Sequence, residues 1–126
     1  MKQCKSLLLV DDEENLVLSI KRLFIDEDIN IEWAKNGKEG LKKLVEKQPE
    51  LVVCDYKMPE MDGLEFLRAA KSISADTPII ILTAYHQEAL AEEFLKEGAK
   101  QYIEKPFKIN EFKYLVLESF QKQALL

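Results

Sequence analysis

The stretch Leu7-Leu8-Leu9-Val10-Asp11-Asp12 is an apolar run of strand length that ends in two adjacent carboxylates. The same pattern returns three times. Leu51-Val52-Val53-Cys54 runs into Asp55, Ile79-Ile80-Ile81-Leu82 into Thr83, and Tyr102-Ile103-Glu104 into Lys105-Pro106. Continuous apolar runs of this kind suit strands of a parallel sheet buried on both faces. If the four runs pair in one sheet, their polar ends meet at its carboxyl edge, where open α/β sheets bind ligands.

Between the runs the apolar spacing becomes helical. Residues 13–26 carry Leu16, Val17, Ile20, Leu23 and Phe24 at that spacing, and 30–34 read as a short strand. Further helices are predicted over 37–46, 63–73 with Asp62 as N-cap, 87–97 ended by Gly98, and 110–121. Five β-α units use up the 126 residues, so 1–126 is expected to form one α/β domain with helices on both faces of a five-stranded sheet. The pattern alone leaves the strand order open.

Composition narrows the function classes. Lys+Arg 18 against Asp+Glu 23 gives a net charge of -5, and no basic cluster offers a nucleic-acid footprint. No apolar stretch approaches the roughly 20 residues needed to span a bilayer, and no signal-peptide segment opens the chain, so the cytoplasm is the expected compartment. Cys4 would enter the first strand and Cys54 ends another, and even as parallel neighbours those ends lie on the order of 20 Å apart. That exceeds the reach of a disulfide, and both are expected to be free thiols.

The chemistry lies in the convergent polar residues. Carboxylates about 5 Å apart repel by roughly 3 kcal/mol per pair at an effective dielectric near 20. Asp11, Asp12 and Asp55 together must therefore keep a proton or bind a cation. An oxygen-only set open to water suits Mg²⁺. Taken alone, Asp11-Asp12-Glu13-Glu14 could equally be acid placed at a helix N-terminus. Asp55 shifts that balance, because a carboxylate after a wholly apolar strand has no packing role and can attack phosphorus. Thr83 and Lys105, each unremarkable singly, complete a set of phosphoryl-oxygen donors.

Asp11-Asp12, Asp55 with Met58-Pro59 and Asp62-Gly63, Thr83-Ala84, and Lys105-Pro106 occur in order at successive element ends. In this combination the chain resembles the receiver domain of two-component response regulators, the CheY-like superfamily, over essentially its whole length. The resemblance implies a flavodoxin-like, doubly wound five-stranded parallel sheet of order 2-1-3-4-5 with five helices, and a single receiver domain over 1–126. It implies that Asp55 is the phosphoacceptor for a phosphoryl group from a sensor histidine kinase or phosphotransfer protein. Asp12 would bind Mg²⁺ directly, Asp11 through water, and Lys57 through its backbone carbonyl, with Asp55 completing the protein ligands. Thr83, the Ala84 amide and Lys105 would hold the phosphoryl oxygens, and the Lys105–Pro106 bond would be cis.

The resemblance also makes Tyr102 a switch aromatic. Thr83 would move toward the phosphate and Tyr102 would rotate into the vacated space, reshaping the face of the fourth helix, fifth strand and fifth helix for a downstream protein or output domain, or for a homodimer. Lys57 and Tyr85, flanking the path of attacking water, are expected to slow phosphate loss. His86 reads as a solvated helix-start residue and Trp33 as packing. In the last helix Tyr114 and Leu117 lie off the inward face, which suits either a partner-binding strip or simple fraying toward Leu125-Leu126. Three other classes fit these residues less well. A flavodoxin-type carrier needs a phosphate-cradling loop where this chain has four acids. A small-molecule phosphatase needs a general acid and a cap, and neither is evident. A phosphate-independent interaction module, the alternative, would lack the acid pair, acceptor or lysine. The expected role is thus a signalling phosphoacceptor, not an enzyme acting on a separate substrate; the kinase, signal and target are not encoded in these motifs.

Overall fold

Register decides where the polar residues land. The computed structural model describes residues 5–85 and 87–124; Cys4, His86, Leu125 and Leu126 lie outside the described residues. The elements run β1 (Lys5–Val10), α1 (Glu14–Leu23), β2 (Ile29–Ala34), α2 (Gly37–Lys47), β3 (Leu51–Asp55), α3 (Gly63–Ile73), β4 (Ile79–Thr83), α4 (Glu88–Lys96), β5 (Gln101–Glu104) and α5 (Ile109–Ala124). All strand pairs are parallel and the sheet order is β2-β1-β3-β4-β5. Val10 stands opposite both Ala34 and Cys54, Asp55 opposite Leu82, and Thr83 opposite Glu104. The strands that carry the candidate residues therefore end nearly level.

Successive strand residues point to opposite faces, and here each face has its own core. Leu8, Val10, Val52, Cys54, Ile79 and Ile81 pack with Leu44 of α2, Phe66, Leu67 and Ala70 of α3, and Phe94 of α4. Leu7, Leu9, Leu51, Val53, Ile80, Leu82 and Ile103 pack with Val17 and Ile20 of α1, Phe24, and Phe112, Val116 and Phe120 of α5. Double burial explains why the central strands are wholly apolar while the edge strands β2 and β5 carry polar residues.

Local chemistry sets the helix ends. Asp62 and Glu65 form a complete capping box at α3. Asn36, whose capping role the periodicity did not reveal, accepts from the Glu39 N–H at 2.8 Å to start α2. Gly98 takes φ +106 after α4, a left-handed conformation suited to glycine. Helix α1 stops at Leu23 rather than at 26. The Ile25 N–H turns back to the Arg22 carbonyl and the Glu27 N–H to that of Phe24, tightening the chain so that Lys5 can pair with the Asp28 carbonyl. On α5, Leu117 is not off the core as its spacing suggests; it is half-buried against the α1–α5 cluster, whereas Tyr114 is 63% exposed.

Gly63 ties α3 to the strand that ends in Asp55. Its N–H donates to the Tyr56 carbonyl at 2.6 Å, and an added Cβ would lie 2.7 Å from Tyr56 Cα and 2.8 Å from the Asp55 carbonyl oxygen. Both obstacles are backbone, so no side chain can move aside. Gly63→Ala should lower stability by about 1–3 kcal/mol, read as a reduced midpoint in urea denaturation.

Candidate functional site

Asp11, Asp12 and Lys105 are delivered by the backbone immediately beyond a β-strand, and Asp55 and Thr83 stand at the last residue of one. The Asp11 N–H donates to the Ala34 carbonyl at 3.0 Å, and the Trp33 indole N–H donates to the Asp11 carbonyl at 2.8 Å. Residue 11 is thus pinned on both sides by β2. This corrects the reading of Trp33 as packing alone: 22 residues away, it braces the acid pair, and no local pattern signals that. Lys105 is held likewise, its N–H donating to the Thr83 carbonyl at 2.7 Å, next to a cis Lys105–Pro106 bond.

One carboxylate oxygen each from Asp11, Asp12 and Asp55 lies within 4.8 Å of the others. Asp11 and Asp55 are only 4% and 7% exposed, while Asp12 opens to solvent. The Lys105 ammonium sits 2.8 Å from Asp55 Oδ1 and 3.8 Å from Glu13 Oε1. Asp11 Oδ1 accepts from the Glu13 N–H at 2.8 Å, whereas Asp11 Oδ2 is buried with no hydrogen-bond partner among the described residues. A buried, unpartnered carboxylate oxygen within an acid cluster is costly unless something positive meets it. The all-oxygen donor set, the orphan oxygen and the open side at Asp12 fit Mg²⁺, which keeps waters and takes few protein ligands.

Protonation follows the same logic. Burial, aided by the charges of Asp55 and Glu13, lifts the Asp11 carboxyl to about 6 against the pull of the Glu13 N–H and of Lys105. Burial also raises Asp55, opposed by the hydrogen bond and charge of Lys105. For Lys105, burial pulls downward, but its hydrogen bond and charge pairing with Asp55, joined by Asp11 and Glu13, leave it above its ordinary value. The fully buried Cys54 thiol is pushed up by desolvation and neighbouring carboxylates, which makes it unreactive.

These groups front a cleft of about 710 Å³ whose wall includes Asp12, Glu13, Asp55, Lys105, Lys57, Met58, Ala84 and Tyr85. Ala84, Lys57 and Tyr85 thus stand at the acid site. Thr83 is 2% exposed, and its Oγ1 accepts from the Tyr85 N–H at 3.0 Å. It lines a second cleft of about 210 Å³ together with Tyr102, Phe94 and Glu88. Tyr102 is therefore not part of the acid site but lies on the far side of Thr83. An aromatic row joins the two regions. Lys57 Nζ is 5.6 Å from the Tyr85 ring centroid. Tyr85 meets Tyr56 at 5.6 Å, Tyr56 meets Phe94 at 5.4 Å, and Phe94 meets Tyr102 at 6.3 Å.

The elevated Asp11 pKa has a stability consequence. A carboxyl raised from 3.8 to about 6 on folding contributes stability that is complete below its unfolded value and lost as pH rises through about 6. Thermal unfolding of the metal-free protein should therefore show Tm falling as pH is raised from about 5 to about 8. Asp11→Asn should unfold at a higher temperature at the upper end and show a shallower decline. Parallel curves for the two proteins would assign the titration elsewhere.

The sequence profile described as the response regulator receiver domain matches residues 7–117. Chemotaxis protein CheY of Listeria monocytogenes is 37% identical over 119 residues, covering 94% of this chain and 97% of that protein. Regulatory protein AtoC of Escherichia coli is 34% identical over 125 residues, covering 99% of this chain, which spans only 27% of AtoC. Among solved structures, the CheX–CheY–BeF3–Mg²⁺ complex from Borrelia burgdorferi superposes with a TM-score of 0.86 at 28% identity, covering 92% of this chain and 89% of that one. With its parallel sheet in the order 2-1-3-4-5 and its acid cluster at the carboxyl edge, the chain belongs to the response regulator receiver domains, the signalling phosphoacceptor family of two-component systems.

Proposed function

We propose that Asp55 accepts a phosphoryl group from the phosphohistidine of a sensor histidine kinase or phosphotransfer protein, and that its modification changes the face formed by α4, β5 and α5. The observation that carries this reading is the Asp55 carboxylate, buried beside Asp11 and Asp12 and paired at 2.8 Å with Lys105. An Asp55 oxygen attacks phosphorus, an O–P bond forms, the donor's N–P bond breaks, and the imidazole leaves with the electron pair. Lys105 swings its hydrogen bond from Asp55 to a phosphoryl oxygen. The Thr83 hydroxyl and the Ala84 N–H donate to the others, so the transferred group meets donors on several sides. Asp11, Asp12, Asp55 and the Lys57 carbonyl would hold Mg²⁺, which when bound offsets the charge of the carboxylates and the phosphoryl oxygens. The similar Borrelia burgdorferi structure, a CheX–CheY–BeF3–Mg²⁺ complex, supports the reading by likeness.

The second cleft supports a switching role. If Thr83 turns toward the phosphoryl group, space opens between it and Tyr102, whose ring already rests on Phe94 of α4. Inward rotation of Tyr102 would then reshape the α4–β5–α5 face, where Tyr114 and Leu95 are exposed and could meet a downstream protein, an output domain or a second copy of the chain. Two states separated by about 1–3 kcal/mol suffice. The Lys57 ammonium over the Tyr85 ring supports a role for this pair in shielding the phosphorylated carboxylate from water. We read residues 1–126 as one receiver unit acting in the cytoplasm; among the described residues no helix is long and apolar enough to cross a membrane.

Intact mass after incubation with acetyl phosphate tests the core of this reading. A gain of one phosphoryl group is expected with Mg²⁺, and none is expected without Mg²⁺ or in Asp55→Asn. No gain in the folded wild-type chain would leave a receiver-shaped interaction module. For the shield, the double variant Lys57→Ala/Tyr85→Ala should lose phosphate severalfold faster than wild type, followed as decay of the phosphorylated mass; an unchanged decay rate removes that role.

A further inference from the structure

Glu13 occupies the N-cap position of α1, yet its side chain makes no capping hydrogen bond. Ser, Thr, Asp or Asn is preferred at such a position because a short side chain can reach back to the first free N–H groups. The Glu13 carboxylate turns elsewhere. Its own N–H is held by Asp11 Oδ1, which fixes the backbone against the acid cluster. Its Oε1 lies 3.8 Å from Lys105 Nζ, with the side chain 65% exposed. Glu13 thus stands on the wall of the cleft that Asp12, Asp55 and Lys105 also line. It adds a fourth negative charge where a phosphodonor must enter, and it shares the ammonium that Asp55 uses.

We propose that Glu13 is a specificity-determining residue that selects phosphodonors by charge, disfavouring those that arrive as dianions. The inference rests on Asp55 being the acceptor. A fixed unit charge about 6 Å from the incoming group in a water-filled mouth changes the approach rate about threefold for each negative charge on the donor. A donor whose leaving group carries a balancing positive charge escapes most of that penalty. Acetyl phosphate is a dianion near neutral pH, whereas phosphoramidate, protonated on nitrogen, carries one net negative charge. Both react by the same exchange: an O–P bond to Asp55 forms while the donor's O–P bond breaks to release acetate, or its N–P bond breaks to release ammonia.

The test compares second-order phosphorylation rates of wild type, Glu13→Gln and Glu13→Asp with each donor, at saturating Mg²⁺ and at low and high ionic strength. Glu13→Gln should react about three- to tenfold faster with acetyl phosphate and should gain less with phosphoramidate. The acetyl phosphate to phosphoramidate ratio should therefore rise about threefold at low salt and fall back toward the wild-type value at high salt, because screening removes an exposed charge effect. Glu13→Asp, which keeps the charge, should retain the wild-type ratio. If wild type is labelled but the ratio stays constant across the variants, or moves equally at both salt levels, Glu13 does not select by charge and the inference fails alone. If neither donor labels wild type, the acceptor reading fails and this inference falls with it.

Discussion

Mutual repulsion of three carboxylates at the end of a parallel sheet is the constraint around which the rest of the molecule is arranged. Asp11, Asp12 and Asp55 present oxygens within 4.8 Å of one another, a placement that at an effective dielectric near 20 costs roughly 3 kcal/mol per ionised pair. The fold holds them there by backbone rather than by the side chains themselves. Strand β2 grips residue 11 from both sides through Ala34 and Trp33, and Gly63 allows α3 to close directly onto the backbone of Asp55 and Tyr56. Lys105, delivered from the next-but-one strand, relieves part of the repulsion through its 2.8 Å pair with Asp55. What it leaves unrelieved, an orphan Asp11 oxygen and a carboxyl raised to about 6, is what a bound cation would relieve.

Two sheet faces divide the labour of supporting this edge. The α1–α5 face is a continuous apolar contact in which Phe24 and Phe112 meet edge-on at 6.4 Å and Phe107 stacks on Phe112 at 4.9 Å. On the other face the core beside α4 is richer in polar-tipped aromatics. Tyr56 and Tyr102 flank Phe94, Tyr85 meets Tyr56, and Thr83, Tyr85, Phe94 and Tyr102 line a cleft of about 210 Å³.

The fold was legible because double burial leaves so little choice: a sheet covered on both faces needs apolar runs, and their ends are where polar residues can resume. That logic located Asp11, Asp12, Asp55, Thr83 and Lys105 at strand ends and Gly98 and Asp62 at helix ends. It failed where contacts join distant segments. Trp33 read as packing because its bond to the Asp11 carbonyl spans 22 residues. Leu117 read as off the core because helical spacing does not register a second apolar neighbour such as α1. Helical spacing runs on to residue 26 although α1 ends at Leu23, because the turn after Leu23 is dictated by the need to enter β2, not by residue propensity.

By itself the sequence determined the element types, the α/β class and the set of polar residues that meet at the sheet's carboxyl edge, since periodicity and burial act locally along the chain. Only the tertiary structure decided how those residues are partnered. That Lys105 pairs with Asp55 and touches Glu13, that Asp11 keeps an unmet oxygen, and that the Thr83 hydroxyl faces the Tyr85 amide beside a cleft shared with Tyr102 all depend on strand register and loop closure. Electrostatic and hydrogen-bond energies vary over ångströms, and distances of that size exist only once separate segments have been brought together.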